Sequence, residues 1–308
     1  MYPKIPDSAT GSSFAENMTE AVISIEHLAW NTRLIRERIG HSARIMGIVK
    51  ANAYGHNVHH VAASLEASGI GDFGVANIHE AIELKTGGAL KKPASILAFS
   101  SPLPSHLEFF LKYGIDMTLC DSETLQAAAE IAAAHNKVIA VQVKVDTGMG
   151  RLGTPPSMAM EILREIDRSP HLKLKGIYTH FADSSSPGGF TRKQLAAFKA
   201  LTAEYEHASS IPVCKHAANS GAILSEPESW LDMVRPGILL YGYHPSKNTP
   251  CRLDVKPVMQ FEAKVIFVKS VPAGATVSYN CTWTSPGPRH IATIAAGYAD
   301  GYSRALSS

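Results

Sequence analysis

Cysteine is scarce, which removes two common sources of stabilisation. The 308 residues contain four, Cys120, Cys214, Cys251 and Cys281. They are widely spaced, with no CxxC pair and no Cys/His cluster at zinc spacing, so neither a disulfide framework nor a metal site is indicated. Free thiols are expected. A long apolar run is also missing. Residues 1–20 mix Pro, Ser, Thr, Glu and Asn without the apolar core of about 7–15 residues that a signal peptide needs, so no membrane segment is expected and the cytoplasm is the expected compartment. An excess of one charge is absent too. Lys and Arg number 29 against 27 for Asp and Glu, and the net charge is only +2. The basic residues are scattered among acids, so nucleic acid is not an expected partner. What remains, 45% hydrophobic and 18% charged, is the composition of an ordinary globular enzyme.

The chain is long enough for one large domain and a smaller one. After a polar start, Ala21 to Ile25 reads as a strand and Leu28 to Ile39 as a helix. From there a short aliphatic run followed by an amphipathic stretch recurs eight times. The predicted strands are Ile45–Lys50, Phe73–Ala76, Ser95–Ala98, Asp116–Leu119, Val138–Val145, Leu174–Thr179, Val213–His216 and Met233–Val234. Helical patterns such as Ser122–His135 and Met158–Ile166, the latter after Pro155-Pro156, lie between them. Alternation at this spacing implies parallel strands with crossover helices, and eight units close into a (β/α)8 barrel. The fold class is therefore α/β, a TIM-type barrel with an N-terminal strand extension over residues 1–243.

After Tyr243 the pattern changes. His244–Pro250 reads as a turn-rich linker, and Phe261–Val268, Thr276–Tyr279 and His290–Ala296 alternate like strands with no helices between them. Residues 244–308 are thus expected to form a second, mostly β domain, which stops at residues 305–308 without a closing strand and reads as incomplete.

The fifth strand carries an anomaly. A period of two puts Val141, Val143 and Val145 on one face and Gln142, Lys144 and Asp146 on the other. Barrel interiors are normally aliphatic, and ionisable groups there are costly unless paired, so a polar inward trio suggests a site.

The end of the first barrel strand reads Val49-Lys50-Ala51-Asn52-Ala53-Tyr54-Gly55-His56. Lys50 stands at the rim where barrel enzymes keep their active sites, although a strand-end lysine can also be merely exposed. With Val145-Asp-Thr-Gly-Met-Gly-Arg-Leu-Gly153 and Gly297-Tyr-Ala-Asp-Gly-Tyr302, this segment resembles the alanine racemase family. Weaker correspondences extend over nearly the whole chain.

The resemblance implies a pyridoxal 5'-phosphate (PLP) enzyme that interconverts L- and D-alanine and supplies D-alanine to peptidoglycan for the cell wall. It implies that Lys50 holds PLP as a Schiff base and that Tyr54 contacts the phosphate. Asn219, Ser220, Gly237 and Ile238, just past strands 7 and 8, are similar to the family's phosphate cup, where small residues let the backbone approach an anion. Arg235 is similar to the arginine facing the pyridine nitrogen, to which it can donate a hydrogen bond but not readily a proton. His216 would orient Arg235, and His180 would pack near the ring.

Arg151 resembles a contact to the cofactor hydroxyl and the substrate carboxylate, and Tyr298 an entrance residue that meets substrate, with Asp300 and Arg304 nearby as structural residues. Lys144 resembles a lysine carbamylated in many members, which would place an anion beside Arg151; an ion pair with Asp146 or another acid is the alternative. Racemisation needs two acid/base groups. Lys50 would be one and Tyr279 the other, supplied across a homodimer by the partner subunit. Two positions depart from the family: Asn57 and Asn280 each stand where glycine is usual. A Met-Asp segment near the substrate carboxylate and a further phosphate-binding tyrosine, both expected of the second domain, have no counterpart here. A barrel-type PLP amino-acid decarboxylase and a non-catalytic PLP-binding barrel are the alternative functions. The Asp146–Arg151 motif speaks against the first and Tyr279 against the second.

Overall fold

The structure is a computed structural model that describes residues 18–185 and 189–306. Most of the polar N-terminal start and the last two residues of the expected incomplete ending lie outside the described residues. Two compact units are present, one of residues 24–258 and one formed by residues 18–23 with 259–306.

The larger unit is the barrel. Its chain enters through the helix Ile25–Ile39, whose Ser24 hydroxyl accepts from the His27 N–H and caps the first turn. With β1 assigned to Thr19–Ile23, the barrel strands are β2 (Arg44–Ile48), β3 (Asp72–Val75), β4 (Ser95–Ala98), β5 (Asp116–Leu119), β6 (Ile139–Lys144), β7 (Leu172–Tyr178), β8 (Cys214–His216) and β9 (Met233–Val234). All neighbouring pairs are parallel, in the order β8-β7-β6-β5-β4-β3-β2-β9. Between β8 and β9 the ring is completed by single bonds, Asp232 N–H to Lys215 O at 3.1 Å and Arg235 N–H to Ala218 O at 2.8 Å.

Several of the helices between the strands begin at side-chain caps. Asn57, Asn77 and Asp121 accept from the N–H groups that open Val58–Ala67, Ile78–Thr86 and Ser122–Ala134. Asn57 also has φ +68°, so this asparagine provides both left-handed backbone and a cap. The valines of β6 are fully buried, as are Ala128 and Ala132 of the helix before it and Leu163 of the helix after it. Met46, Ile48, Leu97, Tyr178 and Met233 form an inner cluster against which Phe99 and Cys214 pack.

In the smaller unit β1 pairs antiparallel with β10 (Met259–Ala263), β11 (Val265–Val271) with β14 (Arg289–Ile294), and β12 (Thr276–Val277) with β13 (Trp283–Thr284). Three expectations are corrected here. The N-terminal strand belongs to this unit and does not extend the barrel, because its five residues pair with β10. The run Phe261–Val268 is two strands broken at Lys264, each with its own partner. The strand expected to reach Tyr279 ends at Val277, because Ser278 adopts φ +66° and a short 3-10 turn, Tyr279–Cys281, follows. Asn280 in that turn has φ +60°, the region that asparagine tolerates better than most residues. Among the described residues no helix is long and apolar enough to cross a membrane, and the four cysteines are unpaired.

Candidate active site

β2 ends at Ile48, two residues earlier than its aliphatic pattern suggests, and the chain then turns in an unusual way. Ala51, Asn52, Ala53 and Tyr54 all lie in the left-handed region, with φ from 52° to 55°. For residues with a Cβ this costs roughly 1–2 kcal/mol each, so the turn needs support from its surroundings. Glu80 provides it: one carboxylate oxygen accepts from the Ala51 N–H at 3.0 Å and the other from the Ala76 N–H at 2.8 Å. Asn52 Oδ1 accepts from Val58 N–H, and the ring of His56 folds under the turn within reach of the Ala53 and Tyr54 carbonyls. The result sets Lys50 and Tyr54 side by side at the rim, with Lys50 Nζ 5.8 Å from the centre of the Tyr54 ring. The Tyr54 ring lies 4.8 Å from that of Tyr241.

Both residues line a cavity of about 710 Å³ at the C-terminal ends of the barrel strands. It brings together Lys50, Tyr54, Lys144, Arg151, His180, Asn219, Ser220, Arg235, Gly237 and Ile238 of the expected set. His216 stands behind Arg235, fully buried. Tyr279 and Tyr298 are in the smaller unit, 88% and 77% exposed, and are not among the residues lining this cavity.

The electrostatics of the cavity are dominated by cations. Burial, and then the nearby Arg151, depress the Lys50 ammonium below the usual lysine range, against a smaller opposing pull from Glu80. Lys144 is held down to about 8, chiefly by burial, with Arg151 and Arg235 adding to the shift. No carboxylate forms an ion pair with Lys144 among the described residues, so the pairing with Asp146 is corrected. Asp146 turns out of the barrel. Burial works against its charge, but its carboxylate accepts from the N–H groups of Gly148, Met149 and Gly150, which keeps it below the ordinary carboxylate range and shapes the loop that carries Arg151. His180 is pushed down to about 3 by burial and then by Arg235, Lys144, Arg151 and Lys50, so its ring is neutral.

Two features were not singled out in the sequence. Tyr178 is fully buried beside the cavity, its ring stacked on His216 at 4.9 Å and 9°. Thr118 spends its only proton on the Ala98 carbonyl, so the Tyr178 hydroxyl donates to Thr118 at 2.8 Å. Ser184 donates to Asn219 Oδ1 at 2.6 Å and lines the cavity. Tyr178 sits in the inward phase of β7, which was the available signal; Ser184 lies in a loop and gave none.

At the loops after β8 and β9 the backbone lines the cavity closely. A Cβ on Gly237 would stand 2.5 Å from the Tyr54 hydroxyl, and one on Gly221 would stand 2.6 Å from Ser184 Oγ. Ser220 Oγ accepts from the N–H groups of Gly237 at 2.9 Å and Leu239 at 3.3 Å, which leaves its own proton to donate. The N–H groups of Gly221 and Ile238 meet no acceptor among the described residues, whereas that of Ser220 is turned to the Arg235 carbonyl in the bridge between Asn219 and Arg235. A cradle of free donors cleared of side chains, in the same cationic cavity as a lysine amine, fits an aldehyde cofactor with a phosphate tail.

Residues 23–245 match the family model for the alanine racemase N-terminal domain, and residues 258–308 match the model for its C-terminal domain. An alanine racemase of Chlorobaculum tepidum is 56% identical over 292 residues, covering 95% of this chain and 76% of that protein. The solved alanine racemase of Clostridium difficile 630 superposes with a TM-score of 0.86 at 33% identity, covering 94% of this chain and 75% of its own. That of Bartonella henselae, described with covalently bound pyridoxal phosphate, gives 0.83 at 30% identity, covering 94% and 78%. The chain belongs to the alanine racemase family, enzymes that use PLP to interconvert L- and D-alanine.

Proposed function

We propose that Lys50 is the residue that holds PLP in this chain, and that Lys50 and Tyr279 of a second copy are the two acid/base groups. The reaction is the PLP-dependent interconversion of L- and D-alanine, and its product serves peptidoglycan synthesis. Family membership over both domains sets aside the decarboxylase and the non-catalytic carrier. The observation that carries the residue assignment is a single one: Lys50, with its ammonium depressed, shares one cavity with an anion cradle built around Gly221 and Gly237.

Bound there, PLP supplies an electron-withdrawing conjugated system that weakens the Cα–H bond of an attached amino acid. The remaining work falls to side chains. Tyr54, whose hydroxyl burial holds in the protonated form, the Ser220 hydroxyl and the free N–H groups of Gly221 and Ile238 would hold the phosphate. Arg235 is fixed by His216 and by the Thr179 and Ala217 carbonyls, so its guanidinium is a rigid donor at the far end of the site. Although burial depresses it to about 10, it stays charged near neutrality and gives up no proton. His180, neutral, would pack against the ring without adding charge.

Arg151 would meet the alanine carboxylate, and Tyr298 would stand at the entrance. Lys50 would take or return the Cα proton on one face, which its depressed ammonium favours. The opposite face needs a second group, and Tyr279 of a partner in a homodimer would supply it. Lys144, near 8 and surrounded by cations, would be carbamylated and present Arg151 with an anion.

Borohydride reduction of the yellow protein, followed by peptide mapping, tests the assignment: the label is expected on Lys50. A label on another lysine would overturn it.

A further inference from the structure

A continuous chain of hydrogen bonds runs down the inside of the barrel, and only its upper end reaches the cavity. Asp116, buried at the start of β5, accepts from Lys175 Nζ at 2.8 Å, from Ser95 Oγ at 2.7 Å and from Gln142 Nε2 at 3.0 Å. Gln142 Oε1 lies 2.8 Å from His216 Nε2, and His216 Nδ1 lies 2.8 Å from an Arg235 guanidinium nitrogen. Lys175, at the other barrel mouth, has a side chain 35% exposed.

The chemistry of the two ends fixes every role between them. A carboxylate paired with a lysine only accepts, so Gln142 turns its NH2 to Asp116 and its oxygen to His216. A guanidinium only donates, so His216 offers a lone pair at Nδ1. Both ends therefore require the same imidazole, neutral and protonated at Nε2. An imidazolium would set an Nδ1–H against the guanidinium. Burial, Arg235 and Arg44 hold His216 well below the ordinary histidine range and keep that form away.

Two further features are built around the Gln142 amide. A Cβ on Gly176 would stand 2.8 Å from Gln142 Oε1 and 3.2 Å from its Cδ, so the neighbouring strand is cleared where the amide lies. The ladder between β6 and β7 slips by one residue between Val141 and Gln142: Val141 pairs with Leu174 and Gln142 with Gly176. This leaves Lys175 out of the register and re-aims it at Asp116, as bulges do. An aliphatic side chain would satisfy packing in this layer, so packing alone does not account for a glutamine.

We propose that Gln142 is a positioning residue for racemisation: anchored by Asp116, it fixes the Nε2–H form and the ring orientation of His216, and through His216 the direction in which Arg235 faces the cofactor. This rests on Arg235 facing the cofactor, as proposed above. Asp116 and Lys175 set the polarity of the relay from outside the site.

The test reads the imidazole directly, by 15N NMR of the PLP-loaded chain with labelled histidine, His216 being assigned by its loss in His216→Asn. In the unmodified chain a single tautomer is expected, with a low-field, exchange-protected Nε2–H. In Asp116→Asn, Lys175 claims the new amide's oxygen, its NH2 faces Gln142, and Gln142 flips; the Gln142 NH2 then opposes the His216 Nε2–H while Arg235 still requires the lone pair at Nδ1, so the low-field, exchange-protected Nε2–H is expected to be lost. In Gln142→Met the low-field proton disappears. In both variants kcat falls about tenfold, the cost of one misplaced hydrogen bond in the transition state, while KM for alanine changes less. A proton on Nδ1 in the unmodified chain, or a His216 spectrum unchanged in both variants, would overturn the proposal. So would an altered spectrum with unaltered kcat. Failure of the borohydride label to map to Lys50 would sink the cofactor assignment but leave the His216 spectrum as described, so the two failures are distinguishable.

Discussion

Gly237 and Tyr54 approach each other so closely that a Cβ on the glycine would stand 2.5 Å from the tyrosine hydroxyl and 3.3 Å from its Cζ. The two are far apart in sequence, one in the loop after β2, the first barrel strand, and the other in the loop after β9, the last, and they meet because those strands are neighbours. In Gly237→Ala the methyl group must push the Tyr54 ring, which rests on Tyr241 and cannot swing freely. Affinity for PLP is expected to fall about tenfold, the value of one hydrogen bond to a charged group. A cofactor titration followed by absorbance measures this. In the background of Tyr54→Phe the same change should cost much less, since the bond is already gone; equal losses in both backgrounds would show that the glycine serves another purpose.

Lys50 and Tyr279 lie in different units of the chain, and a two-base reaction that draws them from different subunits has a diagnostic stoichiometry. Lys50→Ala and Tyr279→Phe are each expected to lose activity by at least about a hundredfold, the usual worth of a positioned acid or base. Unfolded and refolded together in equal amounts, the two variants should recover roughly a quarter of the unmodified activity, because half of the dimers are mixed and each mixed dimer holds one intact site. Recovery near zero would place both residues in the same subunit's site.

Lys144 offers a covalent test. An amine held near 8 is partly unprotonated at neutral pH and can combine with CO2, and the flanking Arg151 and Arg235 would stabilise the resulting anion. The chain equilibrated with 13C-bicarbonate near pH 8 is expected to show one carbamate carbon by NMR, absent from Lys144→Ala. Removal of CO2 should raise KM for alanine, since Arg151 would then lie beside a cation.

The barrel was legible in the sequence because most of its strands are short aliphatic runs followed by helical patterns, several of which open on a polar cap, such as Asn77 before Ile78 or Asp121 before Ser122. The inward polar phase of β6 was legible too, for Gln142 and Lys144 are buried as the period of two requires. Asp146 was misread because it lies past the strand end, where alternation no longer governs direction and a run of glycine N–H groups captures its carboxylate. The left-handed turn after Lys50 could not be read from periodicity at all. Asn52, Gly55 and Asn57 hint at it, but its support comes from Glu80, a contact between loop and neighbouring helix that no local pattern encodes. Assignments to Lys50, Tyr54 and Tyr279 came from resemblance, since a lysine at a strand end and a tyrosine in a turn carry no chemistry by themselves.

The buried histidines make stability depend on acid. His180 is held down to about 3 and His216 also lies well below its ordinary value, burial being the first cause for both and Arg235 the next. In the unfolded chain each titrates near 6.5. Below that pH the unfolded state binds protons that the folded state refuses, so the stability these groups allow is complete above about pH 6.5 and declines on acidification, by about 1.4 kcal/mol per pH unit for each histidine. Urea unfolding at pH 7.5, 6 and 5 should show that loss, and His180→Gln should make the slope shallower by one histidine's share, whatever its effect at pH 7.5. Parallel slopes in the two proteins would mean that the His180 ring takes up a proton in the folded barrel, which the surrounding Lys50, Lys144, Arg151 and Arg235 oppose.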